Sequence, residues 1–383
     1  MIASTEREQL MTLSLQAIRN CMNLRSCTLT RDGSLSNDII LSLQQSPNLS
    51  ELEINGRNFF YFKPGLLPDF THLRKISLVM PSPEVLNVLP IWVRNTAPTL
   101  RHLTLLCQSS NAVTDELLEA LSEHMRNLEY LYLVGCPKVT HAGVWAVISG
   151  TEAGLKGLGL EGVSPSFDVF RLSELCNTSH ALRHLKSVTL TVEARPAQRS
   201  WTRDVVGLLA GSPLEHFHVS SLGGAIDLGG LSDQFCTDIV AQHGERLRRF
   251  SVHRLRMSLG AVRTICERCP NLEQLFVVLE HADITQLGPC LSVAKSLRAV
   301  HVNRPIGPDS DVESAPVVPR DLVLSIVKQS SLPLLRQIGF NTRVNQVLRV
   351  PVVKDNGEVD LDLELGPYES PEIPEQFLVV RTS

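Results

Sequence analysis

No window of this 383-residue chain holds the roughly 18 consecutive apolar residues that a membrane-spanning helix needs. No helical span is therefore expected, and no membrane partner. Neither sign of charge dominates. Lys and Arg total 36 against 40 Asp and Glu, and the net charge of -4 excludes any global pull toward nucleic acid or an anionic surface. The start, from Met1 to Glu8, lacks the basic stretch followed by an apolar core that marks a secretion signal. The nine cysteines are odd in number and scattered from Cys21 to Cys290, which argues against a disulfide framework. Reduced thiols in a cytoplasmic or nuclear protein are the expectation. The glycosylation patterns at Asn48 and Asn177 then read as chance. No HExxH helix, Walker loop or nucleophile elbow occurs, so no catalytic residue is assigned and an enzyme is not expected.

What is present is a rhythm. The stretch Leu128-Glu-Tyr-Leu131-Tyr-Leu133-Val-Gly-Cys136 carries apolar residues at places one, four and six and a cysteine at place nine. That is the strand segment of a leucine-rich repeat. Weaker copies start at Leu24, Leu49, Leu73, Leu100, Leu155, Leu185, Leu214, Leu247, Leu272, Leu297 and Leu335. The spacing predicts about twelve irregular repeats of ~28 residues. Places four and six alternate with polar places three, five and seven, so one side of each strand enters a core and the other faces water. Between strands lie helical patterns at 82–95, 114–124, 141–149, 258–268 and 320–329, the first opened by Ser82-Pro83 as cap and first helical residue. Residues 5–20 read as an amphipathic helix with Leu10, Leu13, Ala17 and Ile18 on one face.

The expected fold is an α/β leucine-rich-repeat solenoid. It is a right-handed β-α superhelix with a curved parallel sheet inside and helices outside. Residues 1–343 form the repeats. Residues 344–383 form a C-terminal β cap, a hairpin of Val347–Val353 and Val359–Leu365 turning at Asp355-Asn356-Gly357, with Gln376–Val380 as a further strand. Ninth places other than Cys136 depart from the repeat, which predicts irregular turns after the strands. The proline-rich 303–321 stretch reads as a mobile rim loop. The aromatic run Phe59-Phe60-Tyr61-Phe62 reads as a plug below a missing helix turn, with a partner-binding patch as the alternative.

Chemistry-bearing patterns are few. Gly157-Leu-Gly159-Leu-Glu-Gly162 matches a dinucleotide motif in spelling, but its first two glycines fall inside a strand, so it reads as a bare spot on the concave face. Cys266-Glu-Arg-Cys269 has no second pair, so no zinc site is expected. The seven arginines between Arg246 and Arg268 are spread over strand, loop and helix, which suits a solvated run rather than a phosphate site. The concave face carries Tyr130, Tyr132, His216, His218, Arg249, His253, Phe276 and His301. No carboxylate or cysteine converges on the histidines, so neither metal nor cofactor is assigned. Imidazoles mixed with Tyr, Phe and Arg suit a protein or peptide partner.

The stretches Asn127-Leu-Glu-Tyr-Leu-Tyr-Leu-Val-Gly-Cys-Pro-Lys-Val-Thr140, Cys269-Pro-Asn-Leu-Glu-Gln-Leu275, Ser46-Pro-Asn-Leu-Ser-Glu-Leu52 and the tail from Val359 to Val380 together resemble the repeat half of fungal F-box proteins. The resemblance implies a non-catalytic scaffold that holds the substrate of an SCF-type ubiquitin ligase. The family's F-box docks on a Skp-type adaptor. The residues before Leu24 are too few for one, so a truncated or repeat-only relative is expected, and the adaptor enters only if an F-box lies upstream. The alternative is a regulator or inhibitor of another protein, like those that act on GTPases, with no ubiquitin link.

Overall fold

The computed structural model describes residues 2–192, 198–221, 230–305, 317–353 and 359–368. The chain falls into two compact units, Met1–Leu185 and Lys186–Ser383. In the first unit the order is α1 (Ile2–Asn20), β1 (Ser26–Leu29), α2 (Asn37–Gln44), β2 (Glu51–Asn55), β3 (Lys75–Val79), α3 (Pro83–Thr96), β4 (His102–Leu106), α4 (Asp115–Ser122), β5 (Tyr130–Val134), α5 (His141–Gly150), β6 (Gly157–Glu161) and α6 (Val169–Ser179). A 3-10 turn, Pro64–Asp69, stands where a helix between β2 and β3 would be. The second unit runs β7 (Ser187–Val192), α7 (Gln198–Leu209), β8 (His216–Ser221), α8 (Gly230–His243), β9 (Arg249–His253), α9 (Leu259–Arg268), β10 (Gln274–Val278), α10 (Leu287–Leu291), β11 (Ala299–Asn303), α11 (Arg320–Ser330), β12 (Gln337–Phe340), β13 (Arg343–Val353) and β14 (Val359–Pro367).

Strands pair in chain order within each unit. β1 to β6 are parallel, and so are β7 to β12. The register is the repeat itself: Leu103, Leu131 and Leu158 at place four lie side by side, as do Leu105, Leu133 and Leu160 at place six. From the second repeat on, these columns and the leading leucines are buried. The first repeat is the exception. Leu24, Cys27 and Leu29 are only half-buried, because β1 has a strand on one side only. Helices cover the apolar side, with Trp92 fully buried beside Phe70, and Phe235 of α8 seated between Trp201 and Phe217.

Helix starts follow the cap rule at Ser36, Thr114, Thr140, Asp168 and Ser258, whose side chains accept from the first turn. Pro83 opens α3 as expected, but Ser82 caps it by backbone shape alone. In α1 the expected face is rotated. Leu13 and Ala17 are exposed, the half-covered side is Met11, Leu15 and Ile18, and the side chain of Leu10 lies outside the described residues.

The turns after the strands vary, with the left-handed residue at place ten at Gly33 and Ser109 and at place seven at Asn341. The eighth place is left-handed at Met80, Gly135, Gly162 and Arg254. Asn55, at place seven, ties the turn after β2 to the one after β1. Its Nδ2 donates to Thr30 O (2.9 Å) and Asp32 Oδ1 (2.7 Å), and its Oδ1 accepts from Arg57 N–H (2.9 Å). The C-terminal hairpin forms as β13 and β14, antiparallel to each other, with β13 antiparallel to β12. Its Asp355–Gly357 turn, the Gln376–Val380 strand and residues 306–316 of the rim loop lie outside the described residues.

Candidate functional site

The polar side of each strand is less open than alternation alone implies. Place three is half-exposed in many repeats, but place five is buried at Ser77, Thr104, Thr189, His218, Ser251 and Phe276. A residue mid-strand in a parallel sheet is flanked by side chains of its own strand and both neighbours, so a short one disappears beneath them.

In the first unit, Tyr130 and Tyr132 of β5 are half-buried and lean across β6. Gly157 and Gly159 stand opposite them in register, and a Cβ at either glycine would collide with the tyrosine rings. The glycines are thus not a bare spot. They are buried seats for two rings. His102 of β4 completes the group, its ring 5.3 Å from each tyrosine ring and stacked on Tyr130 at 22°. Its Nε2 lies 3.0 Å from Thr104 Oγ1. Burial, and secondarily Lys75, holds the imidazole near pKa 4, so it is neutral at pH 7. Sequence reasoning passed over His102, although it occupies the same third place as Tyr130.

In the second unit, His216, Arg249 and Gln274 stand side by side at place three. Arg249 Nε donates to Gln274 Oε1 at 2.6 Å. Beneath them runs a second row. His218 is 2% exposed and its Nδ1 is hydrogen-bonded to Ser251 Oγ at 2.8 Å. Burial, then His253 and Arg249, pushes His218 down to about 3. Phe276 is 3% exposed and stacks on His301, centroids 6.2 Å apart. The half-buried His301 lies over Gly339 and donates from Nε2 to the carbonyl of Asn341 at 2.8 Å. Burial and Arg254 hold the half-buried His253 near 4.

The eight residues singled out in sequence thus divide. Tyr130 and Tyr132 share one platform. His216, Arg249, His253 and His301 offer atoms to solvent in the other unit. The structure withdraws His218 and Phe276 from the surface and makes them its support. His218 and Ser251 pair as a base and a hydroxyl would, but both are sealed, and a substrate cannot reach them.

Other patterns resolve plainly. Cys266 and Cys269 are buried, and burial pushes both thiols up to about 12. Among the described residues no group of three or more His, Cys, Asp or Glu is placed to hold a metal ion. Of the Arg246–Arg268 run, Arg248 pairs with Glu273 (3.2 Å), Arg256 with Glu280 (3.3 Å) and Arg263 with Glu267 (3.4 Å). In the aromatic run only Phe62 acts as the plug. Phe59, Phe60 and Tyr61 are exposed, Phe60 entirely so and left-handed at φ 64°. No helix among the described residues is long and apolar enough to cross a membrane.

No known family's sequence profile matches the chain, and no curated protein matches it in sequence. Solved structures do match. A chain of the Rad7 and Elc1 complex from yeast superposes with a TM-score of 0.56 at 13% identity, over 88% of this chain and 84% of that one. The leucine-rich-repeat-containing protein LegL7 of Legionella pneumophila gives 0.46 at 10% identity, over 81% and 99%. An internalin of Listeria monocytogenes gives 0.33 at 15% identity, over 74% of each chain. The chain has a leucine-rich-repeat fold. Its repeats present polar and aromatic side chains on the strand side, and such repeat faces are suited to holding another protein.

Proposed function

We propose that this leucine-rich-repeat chain is a non-catalytic protein-binding scaffold. Contact is made by His102, Tyr130 and Tyr132 in the first unit and by His216, Arg249, His253 and His301 in the second. The observation that carries the reading is the tyrosine platform. Two rings are held in place by glycine seats and a stacked imidazole, so little side-chain entropy is left to lose on binding. Neutral imidazoles beside Tyr and Arg also suit a largely desolvated protein contact. That the yeast chain of the same fold was solved in a complex with a second protein supports a binding role.

The finer reading follows the resemblance to F-box proteins: the repeats hold the substrate of an SCF-type ubiquitin ligase. It rests on an F-box encoded in frame ahead of Met1 and on a Skp-type adaptor recovered with the chain. The broader reading is tested by crosslinked capture from the native cell extract with the parent chain, Tyr130→Ala/Tyr132→Ala, and Arg171→Ala on α6 as a control away from the strands. The parent and the control are expected to recover the same proteins and the tyrosine variant to lose them. Identical recovery by all three would end the platform's role.

A further inference from the structure

Among the described residues β14 is the last strand of its sheet, and only β13 pairs with it. The register tells which of its backbone groups face outward. Val347 N–H donates to Arg336 O at 2.8 Å, toward β12, so the pair Val347–Leu365 exchanges no hydrogen bonds between β13 and β14. Bonded and non-bonded pairs alternate along an antiparallel ladder. Arg349–Leu363, Pro351–Leu361 and Val353–Val359 are therefore of the same non-bonded kind. Pro351, which has no N–H to give, fits that place. It follows that the backbone groups of Val359, Leu361, Leu363 and Leu365 point away from β13.

Two of those outward donors are met by the strand itself. Leu361 N–H donates to Asp360 Oδ1 and Leu363 N–H to Asp362 Oδ1, each at 2.8 Å. The outward carbonyl of Leu365 accepts from Arg320. Alternation sets Asp360, Asp362 and Glu364 on one face of the strand and Val359, Leu361 and Leu363 on the other, with Val359 and Leu361 exposed. Lys328 of α11 lies 3.1 Å from Asp362, so the acidic row already draws a cation.

We propose that the outer edge of β14 accepts, as an added strand, an extended segment of a partner protein in which basic and apolar residues alternate. Charge selects that occupant. A second copy of β14 laid antiparallel would set carboxylates against carboxylates, which is destabilising. A strand bearing Lys or Arg opposite Asp360, Asp362 and Glu364 draws the carboxylates to its own side chains. Leu361 and Leu363 N–H are then released to the incoming carbonyls, and the segment's apolar residues lie beside Val359, Leu361 and Leu363.

The test uses the full chain and two labelled octapeptides, one alternating lysine and valine, the other glutamate and valine. Anisotropy reads binding, and amide exchange reads its place. The lysine peptide is expected to bind and to slow exchange at Leu361 and Leu363, and the glutamate peptide not to bind. Asp360→Asn/Asp362→Asn keeps an acceptor for each N–H but removes the charge, and should weaken binding by about ten-fold or more. Four outcomes would overturn the proposal: equal binding by parent and variant, protection elsewhere, no binding up to about 1 mM, or self-association of the parent through β14. Tyr130→Ala/Tyr132→Ala should leave peptide binding intact, so this surface and the tyrosine platform fail or stand separately.

Discussion

Gly159 illustrates how one missing side chain can place another residue's ring. Tyr132 lies over it because nothing projects from that position on β6. Gly159→Ala adds a methyl where the ring rests, so either the ring swings outward or the strand shifts. Overpacking of this kind costs about 1–3 kcal/mol. The expected result is a lower urea midpoint together with a changed near-ultraviolet circular dichroism signal from the tyrosines; an unchanged spectrum would mean that the ring is not seated there. At this scale the sequence was half legible. Tyr130 and Tyr132 stand out by type and alternation. The roles of Gly157, Gly159 and Gly339 were hidden, because a glycine in a strand reads as a weakness until the side chain of the neighbouring strand is known to need the space. Asn341 was hidden for a similar reason. It sits between β12 and β13, left-handed at φ 53°, where its carbonyl accepts a hydrogen bond from His301 Nε2 and its Oδ1 one from the N–H of Arg304 (2.8 Å).

Between elements, the first turn of one helix repeatedly holds the entry to the next repeat's helix. Asp115 of α4 accepts from both the N–H (2.7 Å) and the hydroxyl (2.5 Å) of Thr140, the cap of α5. Asn37 of α2 accepts from Lys63 N–H (2.7 Å), and Asp233 of α8 from Ser258 N–H (3.0 Å). Asp115→Ala strips both acceptors from a part-buried cap and is expected to cost about 1–3 kcal/mol by urea unfolding. Thr114→Ala, which removes only the cap of α4, should cost ~1 kcal/mol; equal losses would show that the inter-repeat bonds add nothing. The helices themselves were legible from caps and periodicity. The face of α1 was not. Apolar residues at helical spacing fit more than one stripe, and α1 meets too little of the fold for burial to choose between them.

Across the whole molecule, burial lowers six imidazoles among the described residues: His102, His243 and His253 to about 4, His218 to about 3, and His216 and His301 in the same direction. The unfolded chain protonates its histidines near 6.5. With folded values lower than unfolded ones, the unfolded state binds protons first as pH falls. The stability is whole above ~6.5 and drains away as pH drops toward 4 and then 3. The urea midpoint should therefore fall between pH 7.5 and 5, and more steeply in the second unit, which holds five of the six. His218→Asn should flatten that slope. A midpoint indifferent to pH over this range would contradict the burial of these rings. The architecture was legible because the leucine columns recur with little variation and each repeat needs only its neighbour. The surface was less so, since burial at place five depends on side-chain size in adjacent strands, which spacing does not report.

The hairpin also sets a direction of growth. A further repeat would have to begin with a strand parallel to β12, and that position is filled by β13 running the other way. A duplicated unit could enter the array upstream of β12, but none could be appended behind it. Any added parallel repeat, in evolution or in design, has to come by insertion between existing repeats or by addition beside β1.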